Sequence, residues 1–199
     1  MENLPTARLE DKIENLSFEI YDPTSDETTK KNIKEFWSKW LVLFFYPADF
    51  TFVCPTELKE LNSVYQEIQS ANAEILVISR DTVFSHKRRK ETEPLLKDFK
   101  IQMISDRKWD LSNFFGIMNT ESGNSERGTF IISPDGILKS IEIVTEPIGR
   151  NTNELIRKIK ALDFVRTYAD LACPASRNVW WETLRPSIKI AGLVGEEMK

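Results

Sequence analysis

The sequence of 199 residues contains two cysteines, Cys54 and Cys173, whose sulfur atoms could act as nucleophiles. The thiolate is the reactive form of a cysteine, so the surroundings of the sulfur decide whether the residue is chemically active. Thr51 lies three residues before Cys54 and could offer a hydroxyl to the sulfur or to a substrate oxygen. An isolated cysteine among apolar residues is more often an inert part of the core. The nearby hydroxyl, the flanking prolines and a helix start at Cys54 favour a reactive role instead.

A buried strand followed by a helix would position this cysteine. Residues 41–46 form a continuous apolar and aromatic run, which predicts a strand covered on both faces. Pro47 would end the strand because proline cannot donate to a central ladder, and Pro55 suits the first turn of a helix. The unpaired N–H groups and the dipole of a helix start favour an anion, so a thiol at that position ionises more readily. The helix would bury apolar residues at helical spacing, namely Leu58, Leu61, Val64, Tyr65 and Ile68.

Pro47, Thr51 and Cys54 follow the pattern Pro-x-x-x-Thr-x-x-Cys within Phe-Tyr-Pro-Ala-Asp-Phe-Thr-Phe-Val-Cys-Pro-Thr-Glu. This motif resembles the active-site signature of the peroxiredoxins. The similarity is greatest to the typical two-cysteine group, which includes the peroxidase subunit of alkyl hydroperoxide reductase. It covers about residues 15 to 180 and continues through Arg127-Gly-Thr-Phe-Ile-Ile-Ser, Pro147-Ile-Gly-Arg150-Asn and Cys173-Pro-Ala.

The resemblance implies a thiol-dependent peroxidase that reduces hydrogen peroxide and organic hydroperoxides. In such an enzyme the Cys54 thiolate would attack the peroxide, release water or an alcohol and become a sulfenic acid. By the same resemblance Cys173 is the resolving cysteine, which in typical members comes from the partner subunit and forms an intersubunit disulfide. Thioredoxin or a flavin-linked disulfide reductase would restore both thiols by exchange.

The resemblance also bears on cofactors and assembly. It implies no metal, haem or flavin on this chain. Typical members form homodimers by pairing edge strands across a two-fold axis, and residues 137–144 are the candidate strand here. Rings of dimers, such as decamers, are common in the family.

Several further residues acquire roles only through the resemblance, since a lone arginine at the start of a strand is usually a surface residue. Arg127 matches the family arginine beside the reactive sulfur, where its charge would stabilise the thiolate and bind the peroxide. Thr51 and Arg127 would hold the two oxygens in line, and Pro47 would cap the pocket and limit water access. Glu57 could orient Arg127 or be a solvated helix acid. Arg150 matches a second family arginine near the pocket.

The chain departs from the family pattern in its first 35 residues, at Arg89 and after Cys173. Residues 87–90 are four consecutive basic residues, for which a solvated face of a helix ending near Pro94 is the simpler interpretation. Family members commonly carry a tryptophan where this chain has Arg89, so this residue could alter the pocket wall or the contacts near it. Ser176 and Arg177 replace the usual glycine and tryptophan after the second cysteine. His86 matches a family histidine, for which we expect a structural role.

Composition limits the other classes of function. The chain has 27 basic and 31 acidic residues, a formal charge of −4, which argues against partners that require a basic face, such as nucleic acids and membrane surfaces. Residues 1–11 do not resemble a signal peptide, and no stretch reaches the roughly 18 apolar residues of a spanning helix. We therefore expect a cytoplasmic protein. Two cysteines are too few for a disulfide scaffold, and one histidine excludes most zinc sites.

Strands and helices alternate, which predicts an α/β thioredoxin-like fold with a central mixed β-sheet flanked by helices. A parallel strand at residues 73–79 and a hairpin around Pro134-Asp-Gly136 support it. The domain would span residues 1–169, followed by a C-terminal arm at 170–199 that carries Cys173. The other predicted elements are an edge strand at 16–21, a polar loop at 22–31, a short helix or turn at 32–39, a strand at 101–105, and helices at 109–115 and from Asn151 to about Tyr168.

Two other functions share part of this pattern. A disulfide oxidoreductase of the thioredoxin type has the same fold but requires C-x-x-C, and Cys54-Pro-Thr-Glu57 lacks the second sulfur. A holdase chaperone, a side activity of the larger assemblies in the family, would still suppress aggregation after Cys54→Ser. A peroxidase would lose peroxide consumption on that substitution.

Overall fold

The structure, a computed structural model, describes residues 6–175 and 183–197. Ser176 and Arg177 lie outside these ranges. Contacts divide the chain into two units, Met1–Thr152 and Asn153–Lys199. No helix within the described ranges is both long enough and apolar enough to cross a membrane.

A seven-stranded mixed sheet forms the centre of the first unit, in the order β2-β1-β5-β4-β3-β8-β9. Strands β3, β4 and β5 are parallel, and the outer strands run antiparallel to their neighbours. Strands β6 and β7 pair in a separate small hairpin. In chain order the strands are β1 (Ser17–Asp22), β2 (Glu27–Asn32), β3 (Trp40–Phe45), β4 (Ala73–Ser79), β5 (Met103–Ser105), β6 (Met118–Asn119), β7 (Asn124–Ser125), β8 (Arg127–Ile132) and β9 (Leu138–Val144).

Helices cover the sheet of the first unit. Helix α2 packs along β4, and α3 packs along β1 and β5. In chain order the helices are α1 (Cys54–Ser63), α2 (Tyr65–Ser70), α3 (Val83–Thr92), α4 (Asp110–Phe114), α5 (Thr152–Thr167) and α6 (Val194–Glu197). Short 3-10 helices occupy Ile33–Phe36, Pro94–Leu96 and Ile188–Ile190.

Strand β3 is buried on both faces, as its unbroken apolar run predicts. Alternate side chains of a strand point to opposite faces, so Leu41, Leu43 and Phe45 share one face. These three join a hydrophobic cluster that includes Leu111 of α4 and the ring of Phe130. Phe45 contacts Phe130 edge-to-face, with ring centroids 5.6 Å apart. Phe44 lies on the opposite face of β3, where its ring contacts the guanidinium of Arg150.

Two predictions for the N-terminal region are wrong. The predicted edge strand exists as β1 but lies between β2 and β5, and the predicted polar loop contains the true edge strand, β2. Strand β2 pairs with β1 along its whole length, yet its side chains are exposed or only half-buried. Neither face of such a strand is packed against the core, so its sequence shows no alternation of apolar and polar residues. Its lysines are typical of an exposed edge strand.

The other elements of the first unit follow the sequence closely. The parallel strand at residues 73–79 and the hairpin β8–β9 are both present. Gly136 adopts a φ of 82° in the hairpin turn, a conformation that glycine tolerates best. The helix predicted from Cys54 through Ile68 is two helices, because Val64 leaves helical dihedrals between α1 and α2.

The second unit contains most of α5 and the described residues beyond it. Helix α5 buries Leu155, Ile156, Ile159 and Phe164. Beyond it, Ala172 and Leu184 form an isolated antiparallel bridge. Cys173 is half-buried, and its thiol lies 3.8 Å from the carbonyl oxygen of Ala161.

Candidate active site

Cys54 is the first residue of α1, and residues 46–53 connect it to the end of β3. Strand β3 and its parallel neighbours end at the same edge of the sheet, where sites in such folds form. The side chain of Cys54 is fully buried. Pro55 occupies the first turn of α1, where a missing N–H removes no helical hydrogen bond. The predicted helix start at the cysteine is confirmed.

Arg127 lies against the sulfur of Cys54. It is the first residue of β8, and β8 runs antiparallel to β3. The start of β8 therefore lies beside the end of β3. Arg127 Nη1 donates to Cys54 Sγ at 3.4 Å and to Glu57 Oε2 at 2.6 Å, while Nε donates to the carbonyl of Glu146 at 2.5 Å. The predicted proximity of the guanidinium and the sulfur is confirmed.

Glu57 orients two arginines and is not a solvated helix acid. Its side chain is only 3% exposed. Besides the bond from Arg127, it accepts hydrogen bonds at Oε1 from the backbone N–H and the Nε of Arg150, both at 2.9 Å. One negative charge therefore faces two positive charges beside the sulfur of Cys54, which leaves a local positive surplus.

Arg150 ties the ends of two strands together. Its Nη2 donates to the carbonyl of Phe45, and its Nη1 donates to the carbonyl of Gly128, both at 2.8 Å. The guanidinium also stacks on the ring of Phe44, 3.3 Å from the ring centroid. Burial lowers the pKa of Arg150, and the charge of Arg127 adds to this, although Glu57 acts in the opposite direction.

Thr51 and Pro47 belong to residues 46–53, the cysteine loop, which connects β3 to Cys54. Pro47 is buried. The hydroxyl of half-buried Thr51 donates to the carbonyl of Ala48 at 3.0 Å, so its proton is directed to the loop and its lone pairs remain able to accept a hydrogen bond. Phe50 adopts a left-handed φ of 56°, which is uncommon for a bulky residue.

Comparison with known proteins places the chain in a family. A family model described as the AhpC/TSA family matches residues 10–141. Alkyl hydroperoxide reductase C of Amphibacillus xylanus is 41% identical over 168 residues, which cover 84% of this chain and 88% of the relative. The chain belongs to the AhpC/TSA family.

Solved structures of AhpC/TSA proteins and of peroxiredoxins share the fold. The crystal structure of Enterococcus faecalis AhpC has a TM-score of 0.80 and 37% identity, and the match covers 83% of this chain and 98% of that one. The reduced 2-Cys peroxiredoxin of Plasmodium vivax has a TM-score of 0.88 and 26% identity, covering 94% of this chain and 98% of that one. The predicted thioredoxin-like fold and the resemblance to 2-Cys peroxiredoxins are confirmed.

In this AhpC/TSA family member a buried polar cluster joins the cysteine loop to α3, and the sequence did not reveal it. Asp49 is its centre: Oδ1 accepts from Tyr46 Oη and from Arg89 Nη1, each at 2.8 Å, and Oδ2 lies 2.8 Å from His86 Nδ1. The backbone N–H of Asp49 donates to Asp81 Oδ2 at 2.6 Å. Burial alone would raise the pKa of Asp49, but His86 and Arg89 outweigh it and hold the pKa at about 2.

The solvated-face interpretation of residues 87–90 is wrong for Arg89. Its side chain is 1% exposed, whereas the neighbouring Arg88 is 70% exposed. His86 and Arg89 are three residues apart in α3, so they share the inward face of the helix. That spacing, together with an aspartate soon after β3, is the signal that could have revealed the cluster.

The ring of His86 is fully engaged. Besides Asp49, it contacts the carbonyl oxygen of Ile104 through Nε2 at 3.1 Å. Both ring nitrogens therefore have partners within the cluster, which agrees with the structural role expected for His86. Cys54 and Cys173 are both free thiols in the structure, so the disulfide between them stays a prediction.

Proposed function

We propose that this AhpC/TSA family member is a thiol-dependent peroxidase that reduces hydrogen peroxide and organic hydroperoxides, with Cys54 as the attacking cysteine. The observation that carries the proposal is the 3.4 Å hydrogen bond from Arg127 to the sulfur of Cys54 at the first residue of a helix. A relative named alkyl hydroperoxide reductase C, 41% identical, supports this class of substrate.

In the first step the Cys54 thiolate attacks the terminal oxygen of the hydroperoxide. The sulfur gains that oxygen as the O–O bond breaks, and the departing hydroxide or alkoxide takes up a proton and leaves as water or alcohol. Cys54 is then a sulfenic acid. Arg127 already donates to the sulfur, so the same guanidinium would bind the peroxide as it approaches and stabilise the charge that develops on the leaving oxygen.

The loop would complete the pocket. The Thr51 hydroxyl would accept a hydrogen bond from the terminal O–H of the peroxide, which keeps the two oxygens in line with the sulfur. Buried Pro47 would exclude water from the same space. Glu57 and Arg150 would act indirectly, because they fix the position of the Arg127 guanidinium.

In the second step Cys173 would attack the sulfenic acid, form the Cys54–Cys173 disulfide and release water. Cys54 is fully buried, so a second sulfur can reach it only if the first turn of α1 unwinds. Exposed Phe52, just before this turn, supports such an opening. Thioredoxin or a flavin-linked disulfide reductase would return both cysteines to thiols.

The assembly we propose is a homodimer, or a ring of dimers such as a decamer, with the disulfide between subunits. Strand β9 lies at one edge of the sheet and exposes Ile141 and Ile143, which supports edge-strand pairing. The peroxidase domain would be residues 1–169, since α5 ends at Thr167, and residues 170–199 would be the arm with Cys173. A reducing compartment, the cytoplasm, suits two free thiols.

Stopped-flow peroxide consumption tests the function. We expect wild type to turn over with a disulfide reductase, Cys54→Ser to consume no peroxide, and Cys173→Ser to reduce a single equivalent. Non-reducing gels should show a disulfide-linked dimer in oxidised wild type and none in either variant. Peroxide turnover by Cys54→Ser would contradict the proposal.

A further inference from the structure

Arg89 extends from α3 into the buried cluster and contacts the cysteine loop. Its Nη1 donates to Asp49 Oδ1 at 2.8 Å and to the carbonyl oxygen of Ala48 at 3.4 Å. The guanidinium carbon lies 5.4 Å from the ring centroid of Tyr46. Within the described residues, Nη2 of Arg89 is buried and has no hydrogen-bond partner.

The ion pair with Asp49 is not a full explanation for burying this arginine. A buried donor without an acceptor is unfavourable, and native proteins contain few of them. Asp49 would keep its bonds to His86 and Tyr46 without Arg89, so its carboxylate would not be left unpaired. A buried guanidinium with one unpaired nitrogen is therefore better explained by an effect on the neighbouring cysteine site.

The carbonyl group of Ala48 connects Arg89 to Thr51 of the proposed peroxide site. Ala48 O accepts a hydrogen bond from Arg89 Nη1 and another from the hydroxyl of Thr51 at 3.0 Å. Arg89 therefore fixes the acceptor that sets the orientation of the Thr51 hydroxyl. The intervening Phe50 has a left-handed backbone, so this short loop depends on such anchors to keep its shape.

Arg89 also keeps its charge. Burial acts to lower the pKa of its guanidinium, but the Asp49 carboxylate, which accepts a hydrogen bond from it, holds that pKa above its ordinary value. Arg89 therefore stays cationic and keeps its hydrogen bonds to Asp49 and Ala48 over the pH range in which a cysteine thiolate reacts.

We propose that Arg89 is a positioning residue of the peroxide site, which fastens Ala48 and Asp49 to α3 and thereby holds the Thr51 hydroxyl in the orientation that meets the substrate. The inference rests on the proposed peroxidase function. It adds a residue on a helix that the cysteine motif does not include.

A double-mutant cycle tests this role. The rate constant for oxidation of Cys54 by hydrogen peroxide is measured by stopped flow in wild type, Arg89→Met, Thr51→Val and the double variant. We expect Arg89→Met to lower it about 10- to 100-fold, because a misplaced substrate-orienting group has an effect of this order. If Arg89 acts through Thr51, the double variant reacts no more slowly than Thr51→Val.

Alkylation of Cys54 by iodoacetamide separates positioning from a general effect on the sulfur or the fold. This reagent needs the thiolate but not the Thr51 hydroxyl, so we expect Arg89→Met to change its rate by less than about threefold. The matched control is Arg88→Met, one residue away but exposed, which should leave both rates near wild type. Arg89→Lys keeps the charge without the planar fork, so it should recover part of the lost peroxide rate.

Two results would overturn the role of Arg89: losses that multiply in the double variant, or equal losses in peroxide reduction and alkylation. If Arg89→Met does not fold, the same cycle with Arg89→Lys decides between the same outcomes. A wild-type protein that does not reduce peroxide would instead contradict the proposed function, so the two failures are distinguishable.

Discussion

One carboxylate holds two guanidinium groups beside the sulfur of Cys54. Glu57 accepts from both Arg127 and Arg150, and all three side chains are buried. Burying charges costs free energy that their mutual attraction only partly returns, so the network is stronger evidence for function than for stability. Its surplus positive charge favours the anionic form of the neighbouring sulfur and the negative charge that develops when an O–O bond breaks.

Asp49 gives a prediction about acid stability. Folding lowers its pKa from 3.8 to about 2, because its partners His86 and Arg89 outweigh the effect of burial. The stabilising contribution is therefore complete above about pH 4 and is lost as the pH falls through about 2. We expect Asp49→Asn to lower the free energy of unfolding by about 2 kcal/mol at neutral pH, as measured by denaturant titration.

The difference between Asp49→Asn and wild type should shrink as the pH falls from about 4 towards 2. The control is Asp98→Asn, at an exposed aspartate outside the cluster, which should stay within a few tenths of a kcal/mol of wild type. A destabilisation of Asp49→Asn that stays constant down to the lowest pH would show that the carboxylate charge does not stabilise the cluster.

Some residues of the site could be predicted from the sequence and others could not. Residue types and spacing alone indicated Cys54 and Thr51. Arg127 and Arg150 required the family resemblance, because the sequence does not show that a distant strand end reaches the cysteine. Asp49 was missed, and Arg89 was noted only as the replacement of a family tryptophan, because an aspartate in a loop and an arginine in a basic run look solvated until the fold brings them together.

At the scale of elements, the sequence predicts what is buried better than what is exposed. The parallel strands β3 and β4 follow from their continuous apolar runs, and the start of α1 follows from the prolines around Cys54. Strand β2 could not be predicted, because its polar side chains face solvent and its backbone bonds to β1 define it. The same logic explains α3: its basic run hides an inward face that only tertiary contacts reveal.

In the whole molecule, β9 is an edge of the sheet, and it is the edge through which we propose that a second copy of the chain pairs. Ile143 is half exposed on this strand. We expect Ile143→Lys to weaken the homodimer, because a charge would be buried in the paired edge, while the subunit fold is retained because the side chain is already exposed. Sedimentation velocity of the reduced protein measures the shift from dimer to monomer.

Leu95→Lys provides the matched control, since Leu95 is a similarly exposed apolar residue in the 3-10 helix after α3. It should leave the sedimentation profile unchanged. Equal dissociation by both substitutions would point to a general effect of surface charge, and an unchanged dimer in Ile143→Lys would contradict pairing through β9.

In the proposed reaction the sulfur of Cys54, held beside Arg127, is the atom that peroxide oxidises. Dimedone traps the resulting sulfenic acid, and mass spectrometry locates the adduct in the chain. After one equivalent of hydrogen peroxide, Cys173→Ser should carry the adduct on Cys54, and Cys54→Ser should carry none. Peroxide consumption without an adduct on Cys54, or an adduct on Cys173 when Cys54 is absent, would show that Cys54 is not the residue that peroxide oxidises.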